Sequence, residues 1–468
     1  MTIREAIQNI QGFRYMMEQL NVRSAAGRRF LLDIVWMNSP EEVKRELERV
    51  VKMGVLLQLP ERKTDIETLG VRLMQLRDIR GTILRVSAGC VLDDLELFEL
   101  KNFALLLTEI RHIAGDWGIV SIPVLDPVVA LLDPEGNRIP HFYIYDIYSP
   151  ELAALRAEIR VKKQQGEAEE EIEKIYVRSV EIEDQVRESL SEELHGHSEI
   201  LQQALEAVAL LDVVLAKAEQ AADMQLVCPE LEGEEAETIT LEGLFHPQVR
   251  MKLRQEGKEF QPVDLKLNAE ATVITGANMA GKTVLLKSVA LAQYLVQFGF
   301  FVPASRAKMS LLGEVMMSIG DEQNELSGLS SFAAEMIRMN EMVGKVKDGR
   351  KILVLIDELA RTTNPVEGRA IVNGVVDFLT KHRTMAMVTT HYNGIIAPCR
   401  RLRVKGFVED KIKGEVTLKN INEYIDYSLE EDRGNEVPHE AMRIAWMLGV
   451  DTGILQTAER FLTDRQEV

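Results

Sequence analysis

Cysteine is scarce. The 468-residue chain has three, Cys90, Cys228 and Cys399, far apart and without C-x-x-C spacing. They supply no disulfide framework, and reduced thiols in a cytoplasmic protein are the expectation. Positive charge is also short. Fifty-five Lys and Arg face 74 Asp and Glu, a net charge of −19. A surface basic overall is excluded, so contact with nucleic acid needs a local patch. No apolar run approaches the ~20 residues of a membrane span. The start, Met1-Thr2-Ile3-Arg4-Glu5, lacks the charged-then-apolar pattern of a secretory leader. What the chain does have is 46% hydrophobic residues, enough for large cores, and length for two to four domains of ~150 residues each.

Residues 1–115 read as a helical core. Ser24 can cap a helix carrying Phe30, Leu31 and Ile34. Ser39-Pro40-Glu41-Glu42 reads as a capping box with proline at the first helical position. The helix it opens carries Val43, Leu47, Val50, Val51 and Val55 as its apolar stripe. Leu92 to Ile113 repeats the pattern through Leu95, Phe98, Phe103, Leu106 and Ile110. Residues 116–148 form a short β- and turn-rich connection. It is punctuated by Asp133-Pro134-Glu135-Gly136, and His141 to Tyr145 is a candidate strand. Residues 149–228 read as a long helical lever hairpin, opened by Ser149-Pro150, bent at Gly166 and acidic from Glu167 to Glu193. Arg156, Arg160, Lys162 and Lys163 are its basic cluster, best read as a solvated helix face. A linker, 229–243, follows.

From Leu244 the period changes. Short apolar runs at 272–275, 315–319, 352–356 and 384–389 alternate with helix-length segments. That rhythm predicts an α/β domain on a mainly parallel sheet over 244–435. Two helices end the chain in 436–468, with Asp451 capping the second after Gly449.

The chemistry sits at the ends of those runs. Gly276-Ala277-Asn278-Met279-Ala280-Gly281-Lys282-Thr283 has the spacing of a phosphate-binding P-loop. Its glycines let backbone N–H groups turn toward phosphate, and the following helix N-terminus adds partial positive charge. Lys282 can reach the β- and γ-phosphates of ATP, and Thr283 can hold Mg²⁺. Ile352 to Ile356 is an apolar strand ending in Asp357-Glu358, the Walker B pattern. Asp357 serves the metal, and Glu358 is the candidate general base. Thr389-Thr390-His391 ends the next run, placing His391 where open parallel sheets bind ligands. Ser327 to Met336 reads as a capped helix start.

These motifs together resemble the MutS family of ABC-type ATPases. Thr275 to Thr283 is similar to T-G-P-N-M-G-G-K-S, and Phe301-Val302-Pro303-Ala304 to F-V-P-A. Ile319 to Met336 resembles I-G-A-S-D-D-L-A-S-G-R-S-T-F-x-x-E-M. Asp357 to Thr363 resembles D-E-I-G-R-G-T, and Thr390-His391-Tyr392 matches T-H-Y. The resemblance implies an α/β P-loop (ABC-type) ATPase domain behind an all-α core and lever, and a C-terminal helical dimerisation element. It implies that Phe260 stacks on adenine, that Asn278, Lys282 and Thr283 bind phosphates and Mg²⁺, and that His391 is a switch histidine. It also implies a homodimer, or a heterodimer with a related ATPase, in which Ser330 of one protomer reaches the γ-phosphate held by the other. The chain departs from the family at Ala280, Leu329 and Thr362. It reads as a short form without mismatch-recognition and connector domains. Two clients follow from these features. By family default the ATPase is a switch that binds mismatched or branched DNA. The alternative is a protein client, such as a cobalamin-dependent aminomutase reactivated by ATP.

Overall fold

The computed structural model describes residues 1–139, 141–233, 236–276, 281–319, 331–408, 421–432, 442, 445–446 and 449–463. Eight helices come first: α1 (Ile3–Asn9), α2 (Gln11–Glu18), α3 (Ala25–Asp33), α4 (Pro40–Leu57), α5 (Lys63–Gln75), α6 (Arg80–Ser87), α7 (Asp94–Ala114) and α8 (Asp126–Leu132). Short polar side chains start several of them. Ser24 Oγ accepts from the Gly27 N–H at 2.8 Å, and Asp93 with Glu96 closes a full capping box on α7. At α4 the box is half made. Ser39 accepts from the Glu42 N–H, but its hydroxyl donates to Glu41 instead of Glu42 reaching back.

Two stripes differ from the sequence reading. On α4 the buried set is Val43, Leu47, Val50 and Met53, while Val51 and Val55 are exposed. Spacings of four, three and three keep Met53 on the inner face and rotate Val51 off it. On α7 Leu95 is exposed, and Leu97, Leu100, Phe103, Leu107 and Ile110 face inward. The connection 116–148 holds α8 and a short 3₁₀ turn, Asp146–Tyr148. His141 to Tyr145 is not a strand. The Ile144 carbonyl accepts from Arg156 at 2.7 Å rather than from a ladder, and the Tyr143 and Tyr145 rings lie 4.2 Å apart. Behind them the buried Lys101 ammonium donates to Asp133 at 2.9 Å and to the Tyr145 hydroxyl at 2.7 Å.

α9 (Pro150–Gln165) and α10 (Glu169–His195) form the hairpin. Gly166 turns it with φ 69°, a left-handed value glycine adopts without strain. α11 (Ser198–Met224) then returns into the body. Its alanines at 204, 207, 209, 216, 218 and 221 are buried, so neighbouring helices approach closely. It packs on α3, α4 and α6.

Two sheets follow. The smaller has order β1–β5–β2–β3, with β1 (Glu230–Leu231), β2 (Ile239–Leu244), β3 (Val263–Leu267) and β5 (Arg306–Met309). The larger has order β10–β9–β4–β8–β7–β6: β4 (Ala271–Thr275), β6 (Glu314–Ser318), β7 (Ile352–Ile356), β8 (Met385–Thr389), β9 (Arg400–Phe407) and β10 (Ile425–Glu431). All its pairs are parallel except β10–β9, as the α/β rhythm predicts. β7 and β8 are buried on both faces, which is why each reads as an unbroken apolar run. Helices α12 (Pro247–Gln255), α13 (Lys282–Gln297), α14 (Ser331–Lys347) and α15 (Pro365–Lys381) connect the strands. The terminal helix α16 (Thr452–Thr463) starts where Asp451 accepts from the Gly453 and Ile454 N–H groups. Helices α5 to α10 pack with much of α11 into a core of their own, but α1 and α2 do not belong to it. Ile3, Phe13 and Met16 share one apolar cluster with Leu286, Tyr294 and Phe298 of the sheet domain.

Candidate functional site

β4, β8 and β7 lie side by side and end at one edge. β4 leads to Gly276, whose φ of 142° only glycine adopts readily. The chain enters α13 at Gly281, with φ 72°. A Cβ there would stand 3.0 Å from the Tyr427 ring. Lys282 and Thr283 open α13, so both sit at the positive end of a 16-residue helix.

Across from them, Asp357 and Glu358 follow β7. The Thr283 hydroxyl donates to Asp357 Oδ2 at 2.6 Å, and the Thr389 hydroxyl donates to Oδ1 at 2.6 Å. Thr389 also accepts from the Glu358 N–H at 3.0 Å. One residue at the end of β8 thus fixes the Asp357 carboxylate and the backbone of Glu358. Glu358 and Ala360 both hold left-handed φ, 49° and 59°. Non-glycine residues rarely do so, and such strain concentrates at functional sites. The turn is held by Ala360, whose N–H donates to Glu335 at 3.1 Å and whose carbonyl accepts from the Tyr392 hydroxyl at 2.7 Å.

The Lys282 ammonium donates to the Gly276 carbonyl at 2.5 Å and lies 3.9 Å from Glu358 Oε1. The other Glu358 oxygen accepts from Arg361 at 3.0 Å. His391 stands against Tyr392, ring centroids 4.2 Å apart. Desolvation lowers its pKa, Glu358 pulls it up, and Lys282 and Arg361 push it down, so the histidine lies within electrostatic reach of the same cluster. Beside Gly281 a cavity of about 770 Å³ is lined by Phe260, Tyr427, Leu253, Val263 and Val284. An aromatic-lined apolar slot next to a cationic helix N-terminus suits a planar base carrying phosphates.

Of the residues expected from sequence, Gly276, Gly281, Lys282, Thr283, Asp357 and Glu358 converge. Phe260 lines the adjoining cavity, and His391 flanks the carboxylates. Ala277, Asn278, Met279, Ala280 and Ser330 lie outside the described residues. Among the described residues no group of three or more His, Cys, Asp or Glu side chains gathers as a metal site. The Thr283–Asp357 oxygen pair fits Mg²⁺ instead, which takes few protein oxygens and fills its octahedron with phosphate and water. Thr389, Arg361, Glu335 and Tyr427 join the site in the structure without a role that the motifs assign them. Only the Thr-Thr-His run at a strand end could have pointed to Thr389.

Three of the hairpin's four clustered basic residues are paired with carboxylates of the same region. Arg156 pairs with Asp146 at 2.6 Å and Glu183 at 2.8 Å, Arg160 with Asp146 at 3.8 Å, and Lys162 with Glu167 at 2.6 Å. Arg160 and Lys163 are exposed, but Arg156 and Lys162 are half-buried in their ion pairs, so the solvated-face reading describes only part of the cluster.

A lysine and a hydroxyl at a helix N-terminus, facing carboxylates at the end of a parallel strand, define a site that can hold phosphate and a hard cation. Comparison with known proteins gives the family. Residues 272–465 match the family profile described as MutS domain V. A DNA mismatch repair protein MutS from Rhodopseudomonas palustris (strain BisA53) is 27% identical over 305 residues, covering 64% of this chain and 33% of the relative. Endonuclease MutS2 from Thermomicrobium roseum is 35% identical over 212 residues, covering 43% and 26%. Endonuclease MutS2 from Caldanaerobacter subterraneus subsp. tengcongensis is 30% identical over 278 residues, covering 58% and 33%. Residues 272–465 belong to the MutS domain V family, and over up to 64% of its length the chain is similar to MutS and MutS2 proteins. It spans about a third of the length of these relatives or less. Among the described residues no helix is long and apolar enough to cross a membrane.

Proposed function

We propose that the chain is an ATP-binding and ATP-hydrolysing switch of the MutS type that works as a dimer and takes DNA as its client. The observation that carries the reading is the Thr283–Asp357 contact of 2.6 Å. It joins the first turn of α13, where helix N–H groups favour phosphate, to the end of β7, and the hydroxyl and carboxylate oxygens it brings together are ligands of the kind Mg²⁺ takes. Lys282 neutralises the β- and γ-phosphates. Phe260 and Tyr427 hold the adenine in the adjoining cavity. Thr283 and Asp357 would hold Mg²⁺, which when bound would supply Lewis-acid polarisation of the phosphate oxygens. Glu358 accepts the proton of the attacking water, and His391 positions that water from the other side. Asn278 and the Ser330 segment complete the phosphate shell, the latter from the facing protomer.

The DNA client rests on the relatives, one of which is named a DNA mismatch repair protein. None of the three relatives described above is named for a cobalamin enzyme.

ATP hydrolysis measured against protein concentration tests the switch. Specific activity should rise as dimers form. Lys282→Ala should abolish nucleotide binding, and Glu358→Gln should trap an ATP-bound dimer with hydrolysis down at least ~100-fold, the scale of a lost general base. Unchanged turnover in Glu358→Gln overturns the assignment of the base. Titration of mismatched and branched duplexes at several salt concentrations tests the client. A salt-sensitive complex supports it, and no binding at low salt excludes it.

A further inference from the structure

The far end of α13 is as polar as its near end, although it is buried. Lys217, on α11, is 2% exposed. Its ammonium donates to the Phe298 carbonyl at 2.9 Å and the Gly299 carbonyl at 3.2 Å, and lies 4.1 Å from the centroid of the Phe300 ring. Phe298 is the C-cap of α13. A helix C-terminus presents unsatisfied carbonyls and partial negative charge, so a cation there is stabilising. Burial pulls the Lys217 pKa down to about 8, with Glu46 opposing. The group therefore still carries its proton at neutral pH.

The last turn of α13 is also clamped by Gln297. Its amide donates to the Met37 carbonyl at 3.0 Å and the Leu312 carbonyl at 2.6 Å, and accepts from the Leu312 N–H at 3.1 Å. Removing any one partner strands buried polar groups, which is costly. α13 is thus a rod of about 24 Å with its two ends committed to different tasks. Lys282 and Thr283 stand at one end, and Lys217 grips the other. From Lys217, α11 runs back to the hairpin. Leu201 and Leu205 near its start share a cluster with Leu190 and Leu194 of α10, and only Gly196 and His197 separate the two helices.

We propose that Lys217 is the positioning residue through which occupancy of the phosphate site is passed to the α9–α10 hairpin, by pinning α11 to the C-terminal carbonyls of α13. The proposal rests on the ATPase reading above. When α13 moves on binding nucleotide, the carbonyl grip obliges α11 to follow, and α11 carries the hairpin with it. An apolar side chain at 217 would fill the space but leave the Phe298 and Gly299 carbonyls without their donor, so no polar tie would hold α11 to the end of α13.

The test is amide hydrogen exchange of the full chain, with and without ATP and Mg²⁺, in the Glu358→Gln background that blocks turnover. The parent should show a change of at least ~3-fold in hairpin exchange rates on adding nucleotide. Lys217→Met should keep ATP affinity within ~3-fold but lose the hairpin response. Lys217→Arg, which keeps a cation for the carbonyls, should restore it. An intact hairpin response in folded Lys217→Met overturns the proposal. So does a parent that binds ATP with no change in the hairpin. Failure to bind ATP at all overturns the ATPase reading instead. Should the Met variant not fold, the parent decides alone. Exchange in residues 213–224 must then change together with the hairpin, and a hairpin response with a silent α11 sinks the idea.

Discussion

Thr389→Val isolates the residue that holds the Asp357 carboxylate and the Glu358 backbone. Valine keeps the shape and strand preference of threonine, so β8 is not disturbed. It deletes the donor to Asp357 at 2.6 Å and the acceptor for the Glu358 N–H at 3.0 Å. A hydrogen bond to a charged group contributes ~1.5–3 kcal/mol. At ~1.4 kcal/mol per tenfold in rate, losing the first bond alone lowers kcat by ~10–100-fold if Asp357 must stay aligned during hydrolysis. The ATP KM should move less than ~3-fold, because Thr389 is not among the residues that line the aromatic cavity. Thr389→Ser retains the hydroxyl and should hydrolyse ATP within ~3-fold of the parent. Steady-state phosphate release at saturating Mg²⁺ reads all three. Parental kcat in Thr389→Val refutes the reasoning, and so does a defect confined to KM.

Two further predictions concern stability. His246 is 4% exposed, its Nδ1 has no partner, and burial lowers its pKa to about 4. An unfolded histidine titrates near 6.5, so between pH 6.5 and 4 the unfolded chain binds more protons, and stability falls as pH falls. The loss should reach about 3 kcal/mol, and His246→Leu should flatten that part of the urea-unfolding pH profile. An unchanged slope rejects it. Lys101 and Asp133 are fully buried partners at 2.9 Å. Lys101→Met leaves an uncompensated carboxylate and should cost ~3–5 kcal/mol in unfolding experiments, with ATP turnover per folded molecule within ~2-fold. A loss under ~1 kcal/mol contradicts the ion pair.

Much of the site was legible because it sits at strand ends. Strands buried on both faces print as apolar runs, and Asp357-Glu358 and Thr389-Thr390-His391 are the first polar residues after them. The glycine spacing before Lys282 was readable for a similar local reason. Helix faces were less legible. On α4, Val50 and Val51 are equally apolar, and only the packing of Met53 decides which points inward. His141 to Tyr145 has strand-like composition but no neighbouring strand, so its backbone and rings find other partners. Contacts joining distant parts of the chain leave no periodic trace. Thr389 to Asp357, Lys217 to Phe298 and Gln297 to Met37 are of this kind.

The merged apolar cluster of α1 and α2 with α13 has a consequence for modularity. Phe13 packs edge-on against Tyr294 at 5.6 Å and tilted against Phe298 at 5.3 Å. A segment starting near Leu244 would therefore bare the flank of α13 to water. Chimeras that exchange nucleotide domains between relatives must carry the first two helices along as part of the transplant. The α9–α10 hairpin, joined by Gly166 at its exposed turn, is the better seam for grafting.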